Sequence, residues 1–417
     1  MSTAPPPAAL PGPALAAARP GARWALLFGN FTCGCGVMVA VGTLNDLARS
    51  LAVSVAVAGQ LIAAAAVVLA LGAPLLAALV AGIDRRRLLA AALLWFAAGH
   101  AASALMPGYA TLLPVRVLSV LGAAVFTPQA ASAVSFMAPP SQRGRAITFI
   151  FLGWSVAAVL GMPLAAWVGE VWGWRWAFAG VAGLALLAAV WVWLTLPDGV
   201  RPPALTRAHW AQVATHPALL ATVGVTALSA AGQFTLSTYF APYYRQVLGA
   251  SAAQVSALFL WFGAVGVLGN VLVSRHIDRL GAARAVALML GCMALSLLLW
   301  PLGTSLPLMA LVITPWALGC FASNSAQQAR LGLAAPVLAP ALIALNSSAM
   351  YAGQALGAAS GGAMVARSGY AALHWVGLAW MLAALGMSAW AARRMRQADA
   401  HGAQAHGAQA HGAEPHG

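Results

Sequence analysis

The few ionisable residues of this chain that stand in or beside its apolar runs are the ones whose types could move a proton. Asp46 follows an apolar run in "TLNDLARS", Glu170 closes another, and Arg116 lies inside a third, "LLPVRVLSVLGAA". A guanidinium near a carboxylate favours the ionised form. A proton arriving on that carboxylate weakens the attraction, so Asp46 and Arg116 are a candidate titrating pair that biases one conformation. Two structural alternatives stand beside this: Asp46 as a helix-end residue, and Arg116 reaching along its aliphatic stem towards water. His100 also titrates near neutrality, and a lone histidine equally fits as a packing residue.

A second group is uncharged: Asn30, Gln129, Gln233, Tyr239, Trp261, Asn324, Gln328, Asn346 and Tyr351. In hydrocarbon each is unfavourable unless it faces a cavity or a partner. Together they outline a neutral, amide- and aromatic-lined site for a small molecule. Singly, each serves as well as a link between helices. The lack of a carboxylate in the set disfavours a site specialised for cations.

The elements that must position these residues are membrane spans. Of 417 residues 62% are hydrophobic and 7% charged, with mean hydropathy +0.85, far outside the range of soluble domains. Spans of about 20 apolar residues, bounded by Pro, Gly or charge, are expected at 24–44, 54–80, 88–106, 110–134, 146–168 and 176–196. Six more are expected at 219–239, 252–273, 283–302, 306–328, 342–365 and 371–392. Backbone groups in lipid must be satisfied within a segment, and barrel-like alternation is missing, so the expected fold is all-α. The organisation read from this is a disordered lead at 1–23, a six-helix half at 24–196, a linker at 197–218, a second half at 219–392 and a basic, then repetitive tail at 393–417. Trp172, Trp174 and Trp176 read as an interfacial belt.

All 21 basic residues are arginine, against seven acids, giving +14. Such charge could mean nucleic acid, but its distribution follows the membrane instead. With the N-terminus inside, 16 arginines fall on the cytoplasmic side. Only Arg49, Arg175, Arg245 and Arg367 fall outside, with Arg116 within a span. That asymmetry places both termini in the cytoplasm. The Pro/Ala-rich start lacks the layout of a signal peptide. The tail "HGAQAHGAQAHGAEPHG" spaces His401, His406, His411 and His416 five apart; it reads as a solvated tail or, less simply, as a metal-binding tract. Cys33 and Cys35 point about 200° apart on a helix, so they form no metal clip.

Two echoes divide the chain. Asp84, Arg85, Arg86 and Arg87 follow the second span, and Asp278, Arg279, Gly281 and Arg284 follow the eighth, with the aspartates 194 positions apart. A stripe of small residues, Gly153, Ala157 and Gly161, is echoed 200 positions later by Gly353, Gly357 and Gly361. Two parallel six-helix halves are a transporter architecture. The stripes should let helices 5 and 11 press closely on partners, with Pro163 adding a local irregularity. The charged clusters either anchor helix ends or clasp neighbouring ends on the cytoplasmic side, a clasp that would favour the outward-open state and part as the halves rock.

These features resemble the major facilitator superfamily, in particular the bacterial drug:proton antiporter branch that includes sugar-efflux and purine-nucleoside-efflux permeases. The likeness covers residues 23–392 and rests on four stretches. They are the Gly/Asp/Arg signature around Asp278 and Asp84, Arg116 with Gly122, "GWSVAAVLGMPLAAWVG" in helix 5, and "SNSAQQARLGLAAP" leading into "LNSSAMYAGQALGAASGG". The first signature is better kept in the second half: counting back from Arg86 and Arg87, Ala81 stands at its aspartate position and Asp84 where the family has glycine. In helix 5, Met162 separates Gly161 from Pro163. The resemblance implies twelve helices in two pseudo-symmetric halves, a monomer in a bacterial inner membrane, a small-molecule substrate and a proton as coupling ion. It implies neither cofactor nor nucleic acid, and efflux by alternating access, with metabolite uptake or exchange as the alternative. An enzyme would need a metal cluster, a nucleophile with its base or a phosphate loop, and the spans hold none of these. A non-transporting sensor would want a signalling domain, and both tails are short.

Overall fold

In the computed structural model, residues 21–53, 55–80, 82–202 and 207–411 are described. Twelve long helices carry the chain: α1 Ala22–Gly42, α2 Val55–Leu79, α3 Arg85–Leu105, α4 Tyr109–Met137, α5 starting with Arg143–Val156, and α6 Trp174–Thr195. The second six are α7 Pro217–Ser237, α8 Ala252–Leu280, α9 Ala282–Leu299, α10 Leu306–Ala334, α11 Ala339–Ser368 and α12 Leu373–His411. Ten are long and apolar enough to cross a membrane; α2 and α11, of 25 and 30 residues, have the length for the other two passages. Large apolar side chains such as Leu187, Val190, Leu194 and Leu311 are exposed, as suits a protein whose solvent is lipid.

Local chemistry sets the joints. Asp84 caps α3 by accepting from Arg86 N–H, and Ser251 with Gln254 forms a reciprocal capping box at the start of α8. Gly281, at φ +81, lets α8 turn at once into α9. In α5 a π turn at Ala157–Gly161 precedes Met162–Trp172. Pro163 has no N–H to offer the carbonyl four residues back, and the wider turn absorbs that gap.

Several boundaries differ from expectation. The run after α1 breaks at Thr43 into a separate helix, Leu44–Ser50, which carries Asp46. Helix α8 runs seven residues past the expected end at Val273, so Asp278 and Arg279 sit on its last turns rather than in a loop. Helix α12 continues through the expected tail to His411, because Ala, Gln, Met and Arg favour helix strongly enough to carry the interspersed glycines. His401, His406 and His411 lie on it; His416, Ala81 and the lead up to Pro20 lie outside the described residues. Trp174 is buried, with its indole N–H donated to Ser50 Oγ at 2.6 Å, so only Trp172 and Trp176 of the expected belt are exposed.

Contacts divide the described residues into two compact units, one drawn from Met1–Ala65 and Leu76–Ala204, the other from Ala66–Leu75 and Leu205–Gly417. Within the first, α5 packs on α1; within the second, α11 packs on α7. The small residues do what their size allows: a side chain at Gly153 would meet Leu27 O and Phe31 N, and one at Gly353 would meet Ala227 O. The stripe contacts fit the expected offset of 200, with Gly153 against Leu27 and Asn30 as Gly353 is against Ala227 and Ala230, and fit one of 196 equally; the helix starts, 195 positions apart for α1 and α7 and 197 for α4 and α10, favour 196. Ala157 lies against Gly34 as Gly353 lies against Ala230, and Gly161 against Cys35 as Gly357 against Ala231. Each of those four correspondences spans 196 positions. A stripe with a small residue every fourth position looks the same after sliding one turn, so the sequence left the register degenerate.

Candidate functional site

The first unit holds a buried cationic centre. Arg116 on α4 is fully buried. Its Nη1 lies 2.9 Å from His100 Nε2 on α3, and its Nη2 donates to the α1 carbonyls of Gly36 at 2.7 Å and Val37 at 3.1 Å. The guanidinium also lies 5.6 Å from the Phe178 ring on α6. The first segment of α4, Tyr109–Ser119, carries Arg116 and ends where the helix breaks at Val120 before resuming at Leu121.

The expected Asp46–Arg116 pair is not assembled. Asp46 accepts from Trp174 N–H at 2.7 Å and faces Arg49 at 3.9 Å. Trp174 is the first residue of α6, and a carboxylate at a helix N-terminus is favoured by the helix dipole, so Asp46 is occupied as a cap. Glu170 is exposed on α5.

Above these ties each unit has a three-helix polar node. In the first, Asn30 Nδ2 on α1 donates to Ile150 O on α5 at 3.1 Å, and its Oδ1 accepts from Thr127 on α4 at 3.0 Å. In the second, Thr226 on α7 donates to Asn346 Oδ1 on α11, and Asn346 Nδ2 donates to Asn324 Oδ1 on α10 at 3.5 Å. Asn30 and Thr226 are 196 positions apart, Ile150 and Asn346 also 196, and Thr127 and Asn324 197. The node is therefore a pseudo-symmetric feature that residue identity conceals.

The second node opens onto a small polar recess, with room for about one water molecule, lined by Thr226, Ser229, Gln233, Ser323, Asn324 and Gln327 with Val225, Val286, Leu290 and Met350. Of the uncharged residues singled out from sequence, Gln233 and Asn324 line it, and Asn346 sits behind them. Gln327 was missed although Ser323, Asn324 and Gln327 follow helical spacing, as do Thr226, Ser229 and Gln233. Its Nε2 donates to Thr222 O while its buried Oε1 has no partner. Its neighbour Gln328 is buried with Oε1 unpartnered and is not in the lining; a step of one residue turns a side chain by about 100°.

The others stand elsewhere. Gln129 is fully buried in the first unit with neither amide atom hydrogen-bonded. Tyr239 donates to Ala358 O at 2.9 Å, tying α7 to α11. Trp261 is exposed and donates to Ala310 O and Thr314 Oγ1 on α10, a link on the helix surface rather than a cavity wall. Tyr351 is half-buried on α11, outside the lining. Arg330, expected among the cytoplasmic arginines, is buried on α10 and donates to Ser388 Oγ at 2.8 Å.

The two charged clusters differ in burial. Asp84 is buried and accepts from Arg86 N–H at 3.0 Å and Gly199 N–H at 2.7 Å, with Arg201 at 3.9 Å. Arg85 Nη1 donates to Ile83 O at 2.6 Å. Arg86 pairs with Asp198 at 2.6 Å, donates to Trp193 O and lies over the Trp193 ring at 4.6 Å; Arg87 is exposed. These contacts fasten the segment that leaves α6, within the same unit. Asp278, Arg279 and Arg284 are all exposed, and Gly281 supplies the turn.

The profile of the Major Facilitator Superfamily matches residues 26–336 and 222–411. The inner membrane transport protein YdhP of Escherichia coli is 30% identical over 344 residues, 82% of this chain and 88% of that one. A chloramphenicol efflux pump of Mycobacterium tuberculosis is 34% identical over 243 residues, 57% of this chain and 58% of the pump. The solved structure of the proton:xylose symporter XylE superposes with a TM-score of 0.69 at 16% identity, covering 88% of this chain and 94% of that one.

Proposed function

The chain belongs to the major facilitator superfamily and is a multi-pass membrane transporter; from that premise we propose that it exports small neutral or amphipathic molecules from a bacterial cell by alternating access, in exchange for protons. The observation that carries the substrate class is the recess: ten lining residues, six of them hydroxyl or amide side chains, four apolar, none charged. Such a wall hydrogen-bonds a neutral solute and covers its apolar faces, and offers a cation no counter-charge. Export is supported by the chloramphenicol efflux pump among its relatives. Exchange for protons is supported by the buried Arg116–His100 centre, since ionisable groups inside membrane spans mark ion and proton paths. The transporter works as a monomer in the inner membrane with both termini cytoplasmic.

Everted vesicles from a host without its own pumps test this, with radiolabelled chloramphenicol and xylose as probes and the proton gradient present or collapsed. Gradient-dependent accumulation of chloramphenicol is expected. Xylose movement without gradient dependence would instead favour the second reading, uptake or exchange of a sugar, nucleoside or similar metabolite, which the hydroxyl- and amide-rich wall also suits. Reporter fusions after Arg19 and after Arg396 should both be active only inside; a periplasmic signal at either overturns the topology.

A further inference from the structure

The hydrogen bonds of His100 in the first unit can be inverted by a single proton. Its Nδ1 lies 2.8 Å from Phe96 O, one turn back on α3, and its Nε2 lies 2.9 Å from Arg116 Nη1. A carbonyl only accepts and a guanidinium only donates, so the contacts require a neutral ring with its hydrogen on Nδ1 and a lone pair on Nε2. Nε2 also lies 3.3 Å from Gly36 O on α1, the carbonyl that Arg116 Nη2 already holds at 2.7 Å.

We propose that His100 takes up a proton at Nε2 and by doing so exchanges the owner of the Gly36 carbonyl, leaving Arg116 tied to α1 through Val37 O. The proposal rests on the reading of proton coupling above and supplies its carrier in the first half. The new N–H cannot face the Nη1–H of Arg116, and two cations at that distance repel. The ring instead donates to Gly36 O, which is already in reach. Arg116 then loses a ring acceptor and shares or yields the Gly36 carbonyl, one of its two on α1. No other atom need be supplied: the proton adds to Nε2 and leaves from it on return. Helix α1 also carries Asn30 of the polar node, six residues before Gly36, so loosening the α1–α4 tie acts on the same helix that the node fastens to α4 and α5.

The surroundings of His100 make this its own event. From α4 it meets Arg116, from α6 the Phe178 ring at 5.9 Å, from α3 the Phe96 ring at 4.2 Å, and from α1 the Gly36 carbonyl. The titratable groups of α1 are Arg23 in its first turn and the thiols of Cys33 and Cys35, the latter facing Gly161 on α5. The carboxylate of Asp46 is committed to Trp174 N–H at the head of α6.

The test reads the ring directly. Nitrogen spectra of 15N-histidine-labelled full chain in lipid nanodiscs are recorded from pH 8 to pH 4 for the wild type, His100→Gln and Arg116→Gln. The signal missing from His100→Gln should be a neutral Nδ1–H ring at pH 8 that becomes doubly protonated on acidification. In Arg116→Gln its tautomer preference should relax towards a mixture. An Nε2–H ring in the wild type, or a ring neutral to pH 4, overturns the proposal. In everted vesicles with chloramphenicol, His100→Gln should keep exchange down a solute gradient and lose at least tenfold of the proton-driven component. Proton-driven transport undiminished in His100→Gln removes His100 as the carrier. Transport indifferent to the gradient in the wild type removes the coupling reading itself, a result distinguishable from the first because it does not involve the variant.

Discussion

The two halves of this transporter use a shared polar scaffold differently. In the first, the node is closed: both ends of the Asn30 amide are taken, one by Ile150 O and one by Thr127, and Arg116 is bound by α1 and α3. In the second, the equivalent node stands at the rim of a recess, with Gln233, Ser229, Ser323 and Gln327 beside it. Satisfied groups hold helices together and have little left for a ligand; groups facing a recess exchange water for solute. Under the proposed function, the difference would give hydrogen bonding of the solute to the second half and the response to protons to the first. The charged clusters also differ, Asp84 being buried and Asp278 exposed.

The largest effect should separate the equivalent glycines. A methyl at Gly357 would meet Ala231 O and lie 2.9 Å from Thr235 N, both backbone, whereas one at Gly161 would meet the Cys35 thiol at 2.7 Å. Gly357→Ala should lose about 1–3 kcal/mol or fail to assemble, read as recovery of monodisperse protein. Gly161→Ala should be milder and be rescued by Cys35→Ala. Equal loss from both would erase this distinction between the halves.

Next comes Asp84→Asn, which removes a charge accepting two backbone N–H groups. About 1–2 kcal/mol of stability should go, seen as a lower melting temperature in detergent. Asp278→Asn, at an exposed position, should shift it by less than about 0.5 kcal/mol, the range for surface substitutions; a drop as large as at Asp84 would erase the contrast between the two. Arg86→Ala should cost less than Asp84→Asn. Its partner Asp198 is 65% exposed, so the ion pair contributes little, and the loss of about 0.5 kcal/mol should not depend on salt, because the Trp193 contacts supply it.

Spans, halves and the small-residue stripes were legible because lipid imposes length and polarity rules on every segment. What was hidden has physical causes. The stripe is periodic and so slides by a turn unnoticed. The node repeats a position and not a residue type: Asn30 answers to Thr226, and a backbone carbonyl at Ile150 answers to the Asn346 side chain. Asp46 was read as a coupling acid because acids are scarce, when its neighbour in space is the N-terminus of α6. The signature after the second helix departs from the family pattern at Ala81 and Asp84, yet its contacts with Asp198, Gly199 and Arg201 are made to a segment no local motif could reveal.

The division of labour between the halves is tested most directly by equilibrium binding to purified protein, using whichever of chloramphenicol, xylose or a purine nucleoside raises its melting temperature. Asn324→Ala and Gln327→Ala should weaken binding at least tenfold, while Asn30→Ala should leave affinity within about threefold and lower stability by about 1 kcal/mol. A tenfold loss from Asn30→Ala, with Asn324→Ala and Gln327→Ala binding as the wild type does, would contradict it.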